Sequence, residues 1–245
     1  MKQLLRRLRR EADSALVVVA RLRLLVALSR LRLSAAWNRA SVELDVSPDL
    51  RLGRGVRFVV DPRTHTLLRV GPRSRLDDRV LVLLKGGRIE LGAETWLRRD
   101  VVLNVSGHLQ LVRSNVMSWG TVLHCAESVR LEPMASAAEA VTIADSTHFF
   151  TEPDAFFYHN TRTAPIVVGA NTWLCPKVTV TPDVTIGSHC IVASNSVVIG
   201  DIPDGHLASG VPARVVKALP LPWRDGGRAS ERDGGRAGGT DGETV

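Results

Sequence analysis

The sequence predicts an all-β solenoid, a parallel β-helix preceded by a basic helical arm. Three observations predict it. An aliphatic residue returns every six positions from Leu91 to Val198, a small or β-branched residue keeps a fixed place four positions after it, and the apolar content is aliphatic, with 44% hydrophobic residues but only 4% aromatic. A core of repeated small layers needs that composition, and a fixed period is the mark of a repeat architecture.

The clearest pair is Val168-Gly169 and Ile186-Gly187, three six-position steps apart, with Leu174, Val180, Val192 and Val198 continuing the series. Upstream the series runs Leu91, Leu97, Leu103, then Leu111, Met117, Leu123, then Leu131, Ala137, Ile143. Successive upstream triplets begin three steps and two further positions apart, so a short bulge is expected at one corner of each coil. Leu52-Gly53 with Phe58, and Val70-Gly71 with Leu76 and Val82, extend the pattern toward the N-terminus. Of the thirteen units from Leu91 to Val192, nine carry Ser, Thr, Ala or Val at the fifth position: Thr95, Val101, Thr121, Ala135, Val141, Thr172, Val178, Val184 and Ser196. Those types are abundant enough for about four matches by chance. Six residues make a short strand and a turn, and three such units close a triangular coil, stacked at ~4.8 Å per layer. The first residue points inward, the fifth leaves it room at the corner, and the second lies at the bend, where Gly92, Gly169 and Gly187 suit the turn. A β-sandwich alternates with period two and holds no six-residue register.

The register breaks once. Ile143 and Val168 are 25 residues apart, read against a coil of three steps, which places a loop of about seven extra residues at Thr147–His159. It holds four of the five phenylalanines and the only tyrosine. A long aromatic loop thrown from a regular solenoid covers a hydrophobic flank or walls a site.

The net charge of +7 is local: residues 1–40 hold Lys2 and nine arginines against Glu11 and Asp13, +8 in all, leaving −1 for the rest. Within this arm Leu4, Leu8, Ala12, Ala15, Val19, Leu22 and Val26 recur at helical spacing. Two readings stay open: a helix packed on the coil or on a second copy, and a basic amphipathic helix on an anionic membrane. Its best uncharged run, Ser14–Ala20, is seven residues. A spanning helix needs about 20, and Arg21 and Arg23 follow where a leader would be cleaved, so a cytoplasmic protein, peripheral at most to the inner face of the membrane, is expected. Cys125, Cys175 and Cys190 are too scattered for a disulfide framework or zinc site. Nucleic acid is not expected as a partner, since only the arm is basic and it lacks interleaved aromatics beyond Trp37. The chain therefore divides into an arm at 1–44, a β-helix at 45–202, a closing segment at 203–223, and a tail at 224–245 whose twice-repeated RDGGRA cannot anchor to a core and reads as disordered.

Residues 164–217, APIVVGANTWLCPKVTVTPDVTIGSHCIVASNSVVIGDIPDGHLASGVPARVVK, closely resemble the closing coils of the hexapeptide-repeat acyltransferases, such as the maltose and galactoside O-acetyltransferases and those of polysaccharide biosynthesis. The likeness runs more loosely upstream to Leu91, and VTIADSTHFFTEPD (Val141–Asp154) looks like the segment bearing the family's catalytic histidine. The resemblance implies a left-handed helix and a homotrimer with its site between neighbouring coils. It implies acetyl-CoA, or another acyl-CoA, as co-substrate, no metal, and a sugar or similar small molecule as acceptor. It implies His148 as general base, Trp173 near the pantetheine, Ser194 as a small residue admitting the coenzyme to the backbone, and Arg214 and Lys217 on its phosphates. An imidazole suits proton removal from a hydroxyl near neutral pH. The sequence departs from the family twice. Ile199-Gly200 precede Asp201-Ile202-Pro203 where Thr-Lys is common, and Ser118 stands where the sugar enzymes place an acceptor-binding asparagine. Asp145, Glu152 and Asp154 are all candidates to orient the imidazole. Two rival readings are a scaffold that kept the coil and lost the chemistry, and a metal-dependent relative of the γ-carbonic anhydrases, for which His108, His124, His148 and His159 have the wrong spacing.

Overall fold

The structure, a computed structural model, describes residues 2–152 and 160–220, with the backbone alone for residues 2–17. It is a parallel β-solenoid of seven coils. The first face is the sheet Ser41–Val46, His65–Val70, Gly87–Leu91, His108–Leu111, Ser128–Leu131, Ile166–Val168 and Val184–Ile186. The second stacks Arg51–Leu52, Arg75–Leu76, Trp96–Leu97, Val116–Met117, Ser136–Ala137, Trp173–Leu174 and Ile191–Val192. The third stacks Arg57–Val60, Leu81–Leu84, Val102–Val105, Val122–Cys125, Thr142–Ala144, Thr179–Val180 and Val197–Val198. The solenoid thus starts at Ser41, inside the span assigned to the arm, because Ser41–Val46 pairs along its whole length with His65–Val70.

The six-residue register holds. Leu97, Met117, Ala137, Leu174 and Val192 form one inward column, each 0% exposed. The fifth-position residues are buried at the corners, where the hydroxyls of Thr95, Thr121 and Thr172 donate to the carbonyls of Gly92, Ala138 and Gly187. That satisfies polar groups a dry corner would otherwise strand.

The turns obey a different rule from the one expected. Left-handed backbone occurs at the fourth position, in non-glycine residues such as Glu94 (φ 62°), Met134 (63°), Lys177 (61°) and Asn195 (60°). Where the second position is glycine the reason is a separate one: a Cβ on Gly92 would lie 1.8 Å from the Val112 carbonyl oxygen, and one on Gly169 2.4 Å from the backbone of Gly187. The next coil passes directly over these atoms.

The extra residues of the longer coils all fall at the edge between the third and first faces, where Leu103 to Leu111 is eight positions and Val180 to Ile186 is six. The break at Ile143 is the extreme case on that same edge. Its 25 positions span one corner, not a coil, and the same corner of the preceding coil takes eight, so the excursion is more than twice as long as expected. Across it Ser136 pairs with Trp173.

Both ends are covered, as a stack with open hydrophobic ends requires. The helix Lys2–Trp37 buries Leu24, Leu31 and Ala35 against Leu50, Leu52 and Val60 of the first coil. Of the face expected from the spacing, Val19, Leu22 and Val26 are 44%, 60% and 42% exposed. The helix carries apolar residues on more than one side, and the stripe through Leu24, Leu31 and Ala35 meets the solenoid instead. At the other end Ile202 bridges to Ile186, and a hairpin of His206–Gly210 and Ala213–Ala218 adds to the second face with Ala208 fully buried. The tail at 224–245 lies outside the described residues.

Candidate functional site

The excursion begins as an antiparallel hairpin, Ser146–His148 with Thr161–Thr163, in which His148 faces Thr161 and is exposed. Phe149 and Phe150 follow, 43% and 71% exposed; residues 153–159, including Asp154 and His159, lie outside the described residues.

The base of the hairpin is clamped. Asp145 falls in the inward column of Leu84, Val105 and Cys125, since its neighbour Ala144 pairs with His124. Its fully buried carboxylate accepts the backbone N–H groups of Ala126, Glu127 and Ser128 at 2.7, 2.8 and 2.8 Å. Its carbonyl accepts the amide of Ala164 at 3.0 Å, and Thr163 donates its hydroxyl to Glu127 at 2.6 Å. The departing and returning strands are thereby tied to each other and to the corner of the coil before. Of the carboxylates considered as partners for His148, Asp145 is committed to these three amides and Glu152 is exposed. The Cys125 thiol, buried and beside the Asp145 carboxylate, is pushed up to about 12.

The other four residues lie elsewhere on the prism. Trp173, 44% exposed, points outward from the second face and pairs with Ile191. Ile191 pairs with Leu207, and Leu207 with Lys217, so Trp173 and Lys217 share one row, ~14 Å apart at ordinary strand spacing. Arg214 lies opposite Ser209 on the same hairpin, and Ser194 occupies the exposed turn before Asn195, whose amide donates to the Pro176 carbonyl. These residues line the second face and its edge with the third. His148 leaves from the edge opposite that face, so a single chain does not unite them.

Sequence reasoning missed two features. One is the Asp145 clamp. The other is a cluster on the second–third edge, where Arg98 lies 5.1 Å from the Trp96 ring centre and 4.4 Å from that of Trp119, and Arg99 lies 5.5 Å from Trp119. Beside them Ser118, only 3% exposed, donates to Glu139 at 2.8 Å and holds that carboxyl below its ordinary range. Stacking the upstream coils at their own repeat would have put Arg98 over Ser118. A cavity of about 1070 Å³ lies between the helix and coils one to four of this flank, reaching Arg99 and Trp119, well away from His148. Among the described residues no group of three or more His, Cys, Asp or Glu could hold a metal ion.

Comparison with known proteins agrees with this architecture. Residues 165–200 match the family model for the bacterial transferase hexapeptide (six repeats). A probable acetyltransferase of Mycobacterium tuberculosis is 28% identical over 173 residues, 70% of this chain and 51% of that protein. The galactoside O-acetyltransferase of Escherichia coli is 24% identical over 143 residues, 56% of this chain and 67% of its own. The chain thus spans about half the length of the first of these relatives. Among solved structures, the polysialic acid O-acetyltransferase OatWY superposes with a TM-score of 0.55 at 15% identity, over 73% of this chain and 85% of that one.

One consequence of the clamp can be measured. Asp145→Asn keeps the shape but replaces one accepting oxygen with a donor, which should cost about 1–3 kcal/mol in denaturant unfolding. It should also lower the Cys125 titration from about 12, read by thiolate absorbance. A thiol raised in the folded state contributes stability that is fully present below its unfolded value near 9 and is lost as pH rises from there through about 12, so the alkaline stability loss should be smaller in the variant and end at a lower pH. Unchanged stability and thiol titration would refute the clamp. Residues 165–200 are hexapeptide repeats of the bacterial transferase type, and the chain is built as a left-handed parallel β-helix.

Proposed function

We propose that the protein transfers an acetyl or other short acyl group from an acyl-coenzyme A to a hydroxyl of a saccharide or similar acceptor, as a homotrimer whose sites lie between copies. The observation that carries this reading is the exposed His148 on a hairpin held rigidly at its base. Rigid presentation is what a general base needs. The named activities of the two relatives, an acetyltransferase and a galactoside O-acetyltransferase, support the reaction class and a saccharide acceptor.

The second-face row suits the coenzyme. Trp173 offers a half-exposed ring, and Arg214 and Lys217 are exposed cations with no carboxylate within ion-pair distance among the described residues, fitted to phosphates. Ser194 keeps its turn low beside them. The thioester supplies an activated carbonyl. His148 takes the acceptor's hydroxyl proton as that oxygen bonds to the carbonyl carbon, and returns it to the departing sulfur. An ester and a free thiol result. Because His148 and Trp173 lie on opposite sides of one prism, the hairpin of one copy meets the second face of the next, which is the reason for the trimer.

The arm adds a membrane contact at a cytoplasmic surface. Val18, Val19, Leu22, Leu25 and Val26 are exposed beside Arg21 and Arg23, the pattern of an interfacial helix. No helix among the described residues is long and apolar enough to cross a membrane.

Two outcomes are expected. In a thiol-release assay across sugars, polyols and amines, His148→Ala should lower kcat by ~100-fold or more, with coenzyme A affinity and Tm unchanged because no core contact is lost; full activity in the variant would remove His148 from the mechanism. The protein should also sediment with anionic vesicles, release at 1 M salt where screening falls to ~3 Å, and lose this behaviour in Leu22→Asp. Equal sedimentation with neutral vesicles, or no effect of Leu22→Asp, would contradict the contact.

A further inference from the structure

At the neighbouring corners of the prism, arginines are matched with acids: Arg73 with Glu94 at 2.6 Å, Arg75 with Asp77 at 2.5 Å and Arg79 with Asp100 at 2.6 Å. Arg98 and Arg99 make no ion pair within 4 Å of a described residue, although Arg98 acts at longer range on the Glu139 carboxylate and Arg99 on that of Asp100. Arg98 lies against two aromatic rings, Trp96, which Arg75 also approaches at 5.1 Å, and Trp119. Its guanidinium carries five N–H donors. One acceptor is in reach, the Ser118 hydroxyl oxygen at a stretched 3.4 Å, and its buried Nε has none. A buried donor without an acceptor is uncommon and costly. Trp119 leaves 44% of its surface exposed and lines the adjoining cavity with six arginines, Arg21, Arg23 and Arg51 among them, and three acids, Asp49, Asp77 and Asp78.

We propose that Trp96, Arg98, Arg99 and Trp119 form a binding site for an anionic saccharide, with a sugar ring stacked on Trp119 and its oxyanion on the two guanidinium groups. A flat ring beside polar groups suits the apolar face of a pyranose, and guanidinium groups receive an oxyanion by paired hydrogen bonds. The Ser118–Glu139 hydrogen bond sets the far wall, and the cavity, where arginines outnumber the three aspartates, leaves room for further anionic units toward the helix. This assignment rests on the proposed transferase activity only in making the bound saccharide the acceptor; the site itself is argued from its own geometry.

The test is binding, read by tryptophan fluorescence and calorimetry on the full chain. Three probes separate the sources of the oxyanion: trigalacturonate for a carboxylate sugar, UDP-glucose for a phosphate-bearing one, and maltotriose as the neutral control. At least one anionic probe should bind about tenfold or more tightly than maltotriose. Trp119→Ala and Arg99→Gln, both at exposed positions, should weaken that binding by about tenfold each while leaving Tm and coenzyme A affinity unchanged. Arg98→Gln should abolish the preference for charge. Maltotriose binding as well as both anionic probes, or undiminished anionic binding in Trp119→Ala and Arg99→Gln, would overturn the site. An anionic saccharide that binds as expected but is never acylated would support the site and overturn its assignment to the acceptor. A neutral sugar acylated with unchanged KM in Trp119→Ala would overturn the site and leave the transferase reading standing.

Discussion

The stacking of one coil's backbone on the next is the interaction on which the rest of this molecule depends. Parallel pairing at a step of one coil lines up equivalent positions of successive coils in columns. Leu97 meets Met117 and Met117 meets Ala137, so the core is a set of one-residue-wide ladders rather than a single assembled interior. The same contact explains why Gly92 and Gly169 admit no side chain, since the overlying backbone occupies the space where a Cβ would go. It also explains why the fourth position tolerates Glu, Met, Lys or Asn in a left-handed turn: those side chains project away from the stack.

A structure packed this way has a dry aliphatic interior and no central pocket, so its chemistry belongs to faces and edges. Asp145 is the exception that serves the edge. It ends an otherwise apolar inward column, and three amides of the preceding corner meet its carboxylate. A buried charge with fewer donors would be expensive; here it fixes the point at which the chain leaves the coil to carry His148. The opposite flank gathers the ring and cations suited to a coenzyme, and above them the tryptophan–arginine cluster.

Much of the fold was legible in the sequence because stacking imposes a period. Every inward position expected from Leu91 to Val198 is buried, and the fifth-position rule found the corners. The excursion at Ile143 was visible as a break, but its size was not, because a step of 25 residues reads as one long coil until the edge that absorbs it is known. The packing face of the arm was hidden for another reason. The helix is apolar on several sides, and only contact with the first coil selects Leu24, Leu31 and Ala35 over Val19, Leu22 and Val26. The residues of the candidate site were named by likeness rather than by spacing, whereas the pairing of Arg98 with Trp119 depends on residues a full coil apart that no local pattern brings together. Asp145 is one of three carboxylates near His148 in the sequence, and only the folded coil shows that it is buried and accepts three backbone amides.

The central claim is that one chain holds half of each site, His148 on one edge and Trp173 with its row on the opposite face. Subunit complementation tests it most directly. His148→Ala and Trp173→Ala chains, each inactive alone, would be co-expressed with different tags and isolated as mixed trimers. If each site joins the hairpin of one copy to the second face of the next, the mixed trimers recover about a third of the wild-type activity, since one of the three interfaces in each carries both intact halves. If the site lies within one chain, every subunit is defective in it, and mixed trimers no more active than the two parents would contradict the account.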